Sequence, residues 1–270
     1  MTVSVPGADL FYATRGRGPV CLVPSLIGTA PYERQMPSLL SDRLTLVFVD
    51  VRGGGRSTGD AADLTFDVLA EDLEAVRRDL GADRVAVLGH SIVGALALEY
   101  GRRCPASVSH VVAVGTPPSG DMQRLAVKAV PFFEEEASAE RKQLLQDNVG
   151  SLPPDASAAD RFLAQAPMRF CDPHVDARPL FAGSEHRPAL LAHVTKSLVA
   201  AWDVTVDAAS LVVPTFLALG RFDYVVPHVL WDDIVLPHTT RRMFERSGHQ
   251  PFVEEPDVFT GAVTAWMGMD

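Results

Sequence analysis

The sequence is poor in cysteine, in long apolar runs and in positive charge. Its three cysteines, Cys21, Cys104 and Cys171, stand far apart with no C-x-x-C spacing. This argues against both a disulfide framework and a structural zinc site. The three thiols are expected to pack as small, buried or half-buried apolar groups. No apolar run reaches the ~20 residues that cross a bilayer. The N-terminal MTVSVPGADL has neither a basic n-region nor an apolar h-region, so no secretory signal is read there and a soluble, cytoplasmic protein is expected. Acidic residues outnumber basic ones by 34 to 24, a formal net charge of -10. Such a chain is repelled at long range by nucleic acid and by anionic membranes, and neither is expected as a partner. The arginine pairs at Arg77-Arg78, Arg102-Arg103 and Arg241-Arg242 are isolated and form no basic tract.

What is present suits one large globular domain with an insertion. The chain has 270 residues, of which 47% are hydrophobic, enough for a sizeable core. The first half alternates strand-like and helix-like segments. Val3–Val5 and Leu10–Thr14 read as a hairpin turned at Pro6-Gly7. Val20–Val23, ending at Pro24, and Leu44–Asp50 are short apolar runs typical of buried strands. A short helix is predicted over Tyr32–Leu40. Residues 52–59, RGGGRSTG, form a loop. Phe66–Leu80 has the apolar spacing of an amphipathic helix, with Gly81 placed to end it. Strands are predicted at Arg84–Leu88, Val108–Val114, Val212–Leu219 and Arg241–Glu245, and helices over Ala95–Arg103 and from Pro256 to Met267. Alternation of this kind predicts an α/β fold, a mostly parallel sheet of about eight strands with helices on both faces. From about residue 119 to residue 205 the text turns helical and loop-like, and a helical insertion is expected there.

The strongest chemical signal lies between Arg84 and Arg103. A β-branched strand runs straight into Gly89-His90-Ser91-Ile92-Val93-Gly94 and then into a helix. A serine in such a corner is held in a strained conformation with its Oγ exposed above the sheet. The N–H of Ile92, at the start of the following helix, can donate to an oxyanion, and the helix dipole adds to it. An ordinary strand-to-helix turn is the plain alternative. A serine hydroxyl is a poor nucleophile and needs a neighbouring base. Of the eight histidines, His249 lies in a Ser-Gly-His loop after the last predicted strand, where it can reach the ligand-binding edge of the sheet. His90 is read as pointing away from the exposed serine, and His174, His186 and His193 fall in the insertion. Asp223 follows an apolar strand and a glycine, and can orient the histidine and stabilise its imidazolium. Alternatively it is a turn aspartate pairing with Arg221.

These segments, in this order, resemble the α/β-hydrolase superfamily over nearly the whole chain. Val20–Pro24 followed by Ser25-Leu26-Ile27-Gly28 occupies the oxyanion-loop position. Asp50-Val51-Arg52-Gly53-Gly54-Gly55-Arg56-Ser57 is similar to the D-x-R-G-x-G-x-S turn, Gly89 to Gly94 to the nucleophile elbow, Gly220 to Pro227 to the segment carrying the acid, and Ser247 to Phe252 to the histidine loop. The arginine-glycine turn, the histidine loop and the long insertion look most like the proline-iminopeptidase-related group. The resemblance implies a core over 1–116 and 206–270, a helical cap over 117–205, and a Ser91–His249–Asp223 triad. Leu26 and Ile92 would supply the oxyanion hole through their backbone N–H groups. It implies acyl transfer through an acyl-enzyme, with no metal or organic cofactor, on a small-molecule substrate; a homodimer stays open.

Two departures from the family pattern bear on this. Val93 stands where the elbow normally has a glycine, and is expected to crowd the neighbouring strand and displace the elbow slightly. Pro24 and Ser25 replace the usual His-Gly of the oxyanion loop, which weakens an aminopeptidase assignment. A small ester or lactone is the expected substrate. A proline-iminopeptidase-type aminopeptidase, a non-hydrolytic lyase or cyclase, and a ligand receptor are the alternatives. Asp50, Arg52 and Arg56 are read as structural, and Glu134–Glu136 as a solvated helix face that an aminopeptidase could use to bind an amine. Met122, Phe132, Phe133, Met168, Phe170, Phe181 and Trp202 are candidates to line an apolar pocket.

Overall fold

The computed structural model describes residues 1–269. Eight strands form one sheet: β1 (Thr2–Val5), β2 (Ala8–Gly16), β3 (Val20–Ser25), β4 (Thr45–Asp50), β5 (Val85–His90), β6 (Val108–Val114), β7 (Thr215–Gly220) and β8 (Thr239–Phe244). Their spatial order is β1-β2-β4-β3-β5-β6-β7-β8. The β1–β2 and β2–β4 pairs are antiparallel, and all the others are parallel. The parallel strands β4, β5 and β7 are almost continuously buried, as strands covered by helices on both faces must be. Alternate residues serve opposite faces. Leu22, Val47, Val87, Val111 and Leu217 belong to one core cluster, while Cys21, Phe48, Leu88, Val112 and Phe216 belong to another. A one-residue slip of any of these strands would exchange its two faces, so the packing pins the register. At the far edge β8 exposes Arg241 and Arg242, charges that discourage pairing with another chain.

The flanking helices are α1 (Thr29–Gln35), α2 (Ser38–Ser41), α3 (Phe66–Asp79) and α4 (Val93–Arg103). Between β6 and β7 come α5 (Met122–Glu136), α6 (Ala139–Gly150), α7 (Ala158–Ala164), α8 (Ala166–Arg169), α9 (Arg178–Phe181) and α10 (Pro188–His193). The chain ends with α11 (Pro251–Glu254) and α12 (Pro256–Trp266). In α3, Thr65 caps the first turn through Val68 N–H, and Leu69, Leu73 and Val76 face the core. The two ends of the excursion between β6 and β7 close on each other: Gly120 N–H donates to Trp202 O at 2.8 Å, and Val204 N–H donates to Pro118 O at 2.9 Å.

Three prolines shift the predicted boundaries. The single helix expected over Tyr32–Leu40 is two, because Met36, ahead of Pro37, is extended (ψ 131). β3 runs on through Pro24 to Ser25, beyond its expected end. Its ladder to β5 goes only through Cys21 and Leu22, so the missing N–H of Pro24 interrupts no bond on that side. β7 starts at Thr215, immediately after Pro214, and not at Val212. Cys21 is buried, its thiol pushed up to about 12 by that burial, and all three cysteines are free. Among the described residues no helix is long and apolar enough to cross a membrane.

Candidate active site

The order of the sheet reverses between β3 and β5, and ligands of open α/β sheets bind beyond the carboxyl ends of the strands at such a point. Ser91 stands there, directly after β5, with φ 57. This left-handed conformation costs a non-glycine residue roughly 1–2 kcal/mol. Two hydrogen bonds impose it: Ser91 N–H donates to Val114 O at 2.8 Å, and Ser91 O accepts from Gly94 N–H at 2.9 Å. The corner also needs its glycines. A Cβ on residue 94 would lie 1.8 Å from Thr116 Oγ1, and one on residue 89 would lie 2.5 Å from Val93 O. Val93 is accommodated: it is buried in the core cluster and borders the same cavity as Ser91.

Asp223 and His249 meet beside this corner. Asp223 follows β7 and is fully buried. Its Oδ2 accepts from His249 Nδ1 at 2.7 Å, and its Oδ1 accepts from the N–H groups of Val225 and Val226 at 3.0 and 2.8 Å. Both oxygens are thereby aimed, and Arg221 is not the partner. With Nδ1 tied to the carboxylate, Nε2 is the free ring nitrogen. It is buried and has no hydrogen-bond partner among the described residues, Ser91 included. His249 shares with Ser91 the wall of one cavity.

His90 is not turned away from this pair, as the reading of an exposed serine corner implied. Its Nε2 bonds to His249 O at 3.0 Å, its Nδ1 to Tyr32 Oη at 3.0 Å, and its ring centroid is 4.7 Å from that of His249. A carbonyl can only accept, so Nε2 carries the proton and Nδ1 accepts from the tyrosine. Burial first, and the neighbouring His249 second, hold its pKa well below the usual histidine value, and it is neutral. The backbone of the histidine loop is tied on its other side. His249 N–H donates to Arg169 O at 2.6 Å, and Gly248 N–H donates to Glu254 Oε2 at 2.7 Å. Burial raises the Glu254 carboxyl to about 7, against the effect of its bonds from Cys171 and Gly248.

The register between β3 and β5 sets Leu22 beside Val87, and the loop that follows β3 borders the same cavity as Ser91 through Leu26 and Ile27. Ser25 shapes this loop. Its Oγ donates to Gly28 O at 2.6 Å and accepts from Ile27 N–H at 3.2 Å. The N–H groups of Leu26 and Ile92 bond to no other group among the described residues. Both residues border the cavity. The arginine-glycine turn is structural: Arg52 bonds to both oxygens of buried Asp72, at 3.1 and 2.7 Å, and Arg56 N–H donates to Asp50 Oδ2 at 2.8 Å.

The cavity measures about 220 Å³. Its outer wall comes from the excursion, through Ala158, Phe162, Phe181, His186 and Leu191. Of the aromatic and methionine residues named from the sequence, only Phe181 is among its lining. Met122 is exposed, Phe132 and Phe133 pack on Tyr224, Phe170 is buried with Ala166 and Ala177, and Trp202 donates to Glu99 at 2.9 Å. Phe162 and Leu191 went unnoticed because nothing local in the sequence shows which helical turn of the excursion faces the sheet.

The chain belongs to the alpha/beta hydrolase fold family, which it matches over residues 18–256. It is 34% identical to the AB hydrolase superfamily protein YclE of Bacillus subtilis strain 168, over 97% of this chain and 96% of that one. It is 28% identical to the pimeloyl-[acyl-carrier protein] methyl ester esterase of Vibrio parahaemolyticus, over 94% and 96%. Its fold is similar to that of the proline iminopeptidase of Mycobacterium smegmatis, with a TM-score of 0.75, 20% identity, and 99% of this chain and 97% of that one covered. The protein is a hydrolase of this family.

Proposed function

We propose that the protein is a serine hydrolase that cleaves a small ester or lactone through an acyl-enzyme. Ser91 is the nucleophile and His249 Nε2 the base. Asp223 holds the imidazole in the tautomer that leaves Nε2 able to accept a proton, and stabilises the imidazolium. Proton transfer to Nε2 lets Ser91 Oγ attack the carbonyl carbon. The oxyanion takes the N–H bonds of Leu26 and Ile92. On collapse, His249 gives the proton to the leaving oxygen, and a water activated by the same nitrogen releases the acid. The excursion over 117–205 acts as a cap that excludes water and shapes the acyl site. The observation that carries this reading is the unpartnered, buried Nε2 of a histidine fixed by Asp223, in one cavity with a strained serine.

An ester or lactone is favoured over an aminoacyl substrate by the cavity lining, which among the described residues holds no carboxylate to receive an ammonium group. Glu134, Glu135 and Glu136 are exposed at the end of α5 and do not border it. The test is mass spectrometry after treatment with a fluorophosphonate, which reacts only with an activated serine. One adduct, on the Ser91 peptide, is the expected result, followed by turnover of esters or lactones ahead of aminoacyl amides. Folded protein without an adduct would remove the hydrolytic reading and move a receptor or lyase ahead of it.

A further inference from the structure

Arg169 ends α8 and is 8% exposed, and it borders the cavity that holds Ser91 and His249. Its guanidinium lies over the ring of Phe162, 3.8 Å from the centroid. Of its five N–H donors, one is spent on a side chain, from Nη2 to Gln165 Oε1 at 3.2 Å. Its Nε is buried and has no partner among the described residues. No carboxylate among them lies within ion-pair distance of it. Asp223, whose charge it feels, has both oxygens taken by His249, Val225 and Val226.

The other buried arginines are treated differently. Arg52 is matched to both oxygens of Asp72, and Arg141 donates to the carbonyls of Pro167, Phe170 and Cys171. A buried cation without such partners is costly, and proteins normally pair it. Burial lowers the pKa of Arg169 only to about 10, so it stays charged at neutral pH. The remaining wall is mostly apolar: Ile27, Ile92, Phe162, Phe181 and Leu191.

We infer that Arg169 selects the substrate, a small ester or lactone carrying a free carboxylate that the guanidinium receives inside the cavity. The inference rests on the hydrolase reading above and narrows it. The planar fork of an arginine suits a carboxylate better than a single carbonyl oxygen does, since two parallel bonds form. A bound carboxylate would also offset a cation whose charge opposes protonation of the neighbouring His90.

The test compares kcat/KM for carboxylate esters and for neutral analogues in which an isopropyl group replaces the carboxylate. The panel is the monomethyl esters of succinate, glutarate and adipate, with 4-acetoxybutanoate to place the charge in the alcohol part. Wild type is expected to prefer at least one charged ester by about thirtyfold or more, the factor for the lower end of the cost of unpairing a buried charge. In Arg169→Gln, checked for folding by circular dichroism, that preference should fall close to one. Arg169→Lys keeps the charge without the fork, serves if the glutamine variant does not fold, and should lose about tenfold of the preference. No preference anywhere in the panel, with Ser91 labelled by fluorophosphonate, would overturn the inference and leave the hydrolase reading standing. A preference that survives in folded Arg169→Gln would also overturn it. No label and no turnover, but calorimetric binding of glutarate that Arg169→Gln abolishes, would sink the hydrolase reading and uphold the anion site.

Discussion

His90 stands behind His249, joined to its carbonyl oxygen at 3.0 Å and to Tyr32 Oη at 3.0 Å, with the two imidazole rings 4.7 Å apart. A folded-state pKa depressed by burial means that the unfolded chain binds the proton more readily. The stability that neutral His90 contributes is therefore fully present above about pH 6.5, the unfolded value, and is lost as the pH falls below it. His90→Gln should flatten the acid side of the stability curve. Denaturant melts of both proteins from pH 5 to 8 check this, and parallel curves would show that His90 is not the group that titrates.

Glu254 works in the opposite sense. Its folded pKa, about 7, is above the usual carboxyl value, so the native state holds this proton where the unfolded chain has released it. Stability due to this group is highest below about pH 4.5 and declines as the pH rises towards 7. The difference in unfolding free energy between wild type and Glu254→Gln should shrink across that window and stay level above it. Because Glu254 also accepts from Gly248 and Cys171, at 2.7 and 2.6 Å, an offset that does not change with pH is expected as well.

Ser91→Ala should fold as well as wild type, because the backbone bonds to Val114 and Gly94 hold the corner without the hydroxyl. Its kcat should fall by about 10⁴-fold or more. Asp223→Asn should keep the loop yet favour the wrong imidazole tautomer, lowering kcat by about 10⁴-fold. Ester hydrolysis rates together with thermal melts decide both. An unfolded Ser91→Ala would make the serine structural and the elbow assignment wrong.

Gly115 makes room for the His249 ring. Its φ is 52, and a Cβ there would lie 2.8 Å from His249 Nδ1 and 3.0 Å from His249 O. Gly115→Ala should push the imidazole out of line and lower kcat by about 10²-fold, the effect of a misplacement near 1 Å. The left-handed backbone should add a loss of roughly 1–2 kcal/mol in stability. Unchanged kcat with lower stability would show that the ring has other space to move into.

The serine–glycine corner, the aspartate after β7 and the histidine loop were legible in the sequence because each is a local device. A strand of β-branched residues, a glycine and a helix signal sit within a few positions of one another, and the order of the segments did the rest. The apolar runs of β4, β5 and β6 and the spacing of α3 were readable for the same reason, as periodicity belongs to the chain itself. Pro24 and Pro37 were harder, since whether a missing N–H matters depends on the neighbour it would have faced.

Tertiary structure alone decided the surroundings of the candidate site. That His90 backs His249, that Gly115 clears its ring, that Glu254 receives the N–H of Cys171 and that Arg169 borders the cavity without an ion-pair partner among the described residues are relationships between residues distant in the chain. The first two depend on how β5, β6 and the loop after β8 come together, and the last on how the helices between β6 and β7 fold back over the sheet, a matter of side-chain packing that leaves no period in the sequence. The chain determined which chemistry is available at the sheet edge; the packed excursion decided the size of the cavity and the charge it presents.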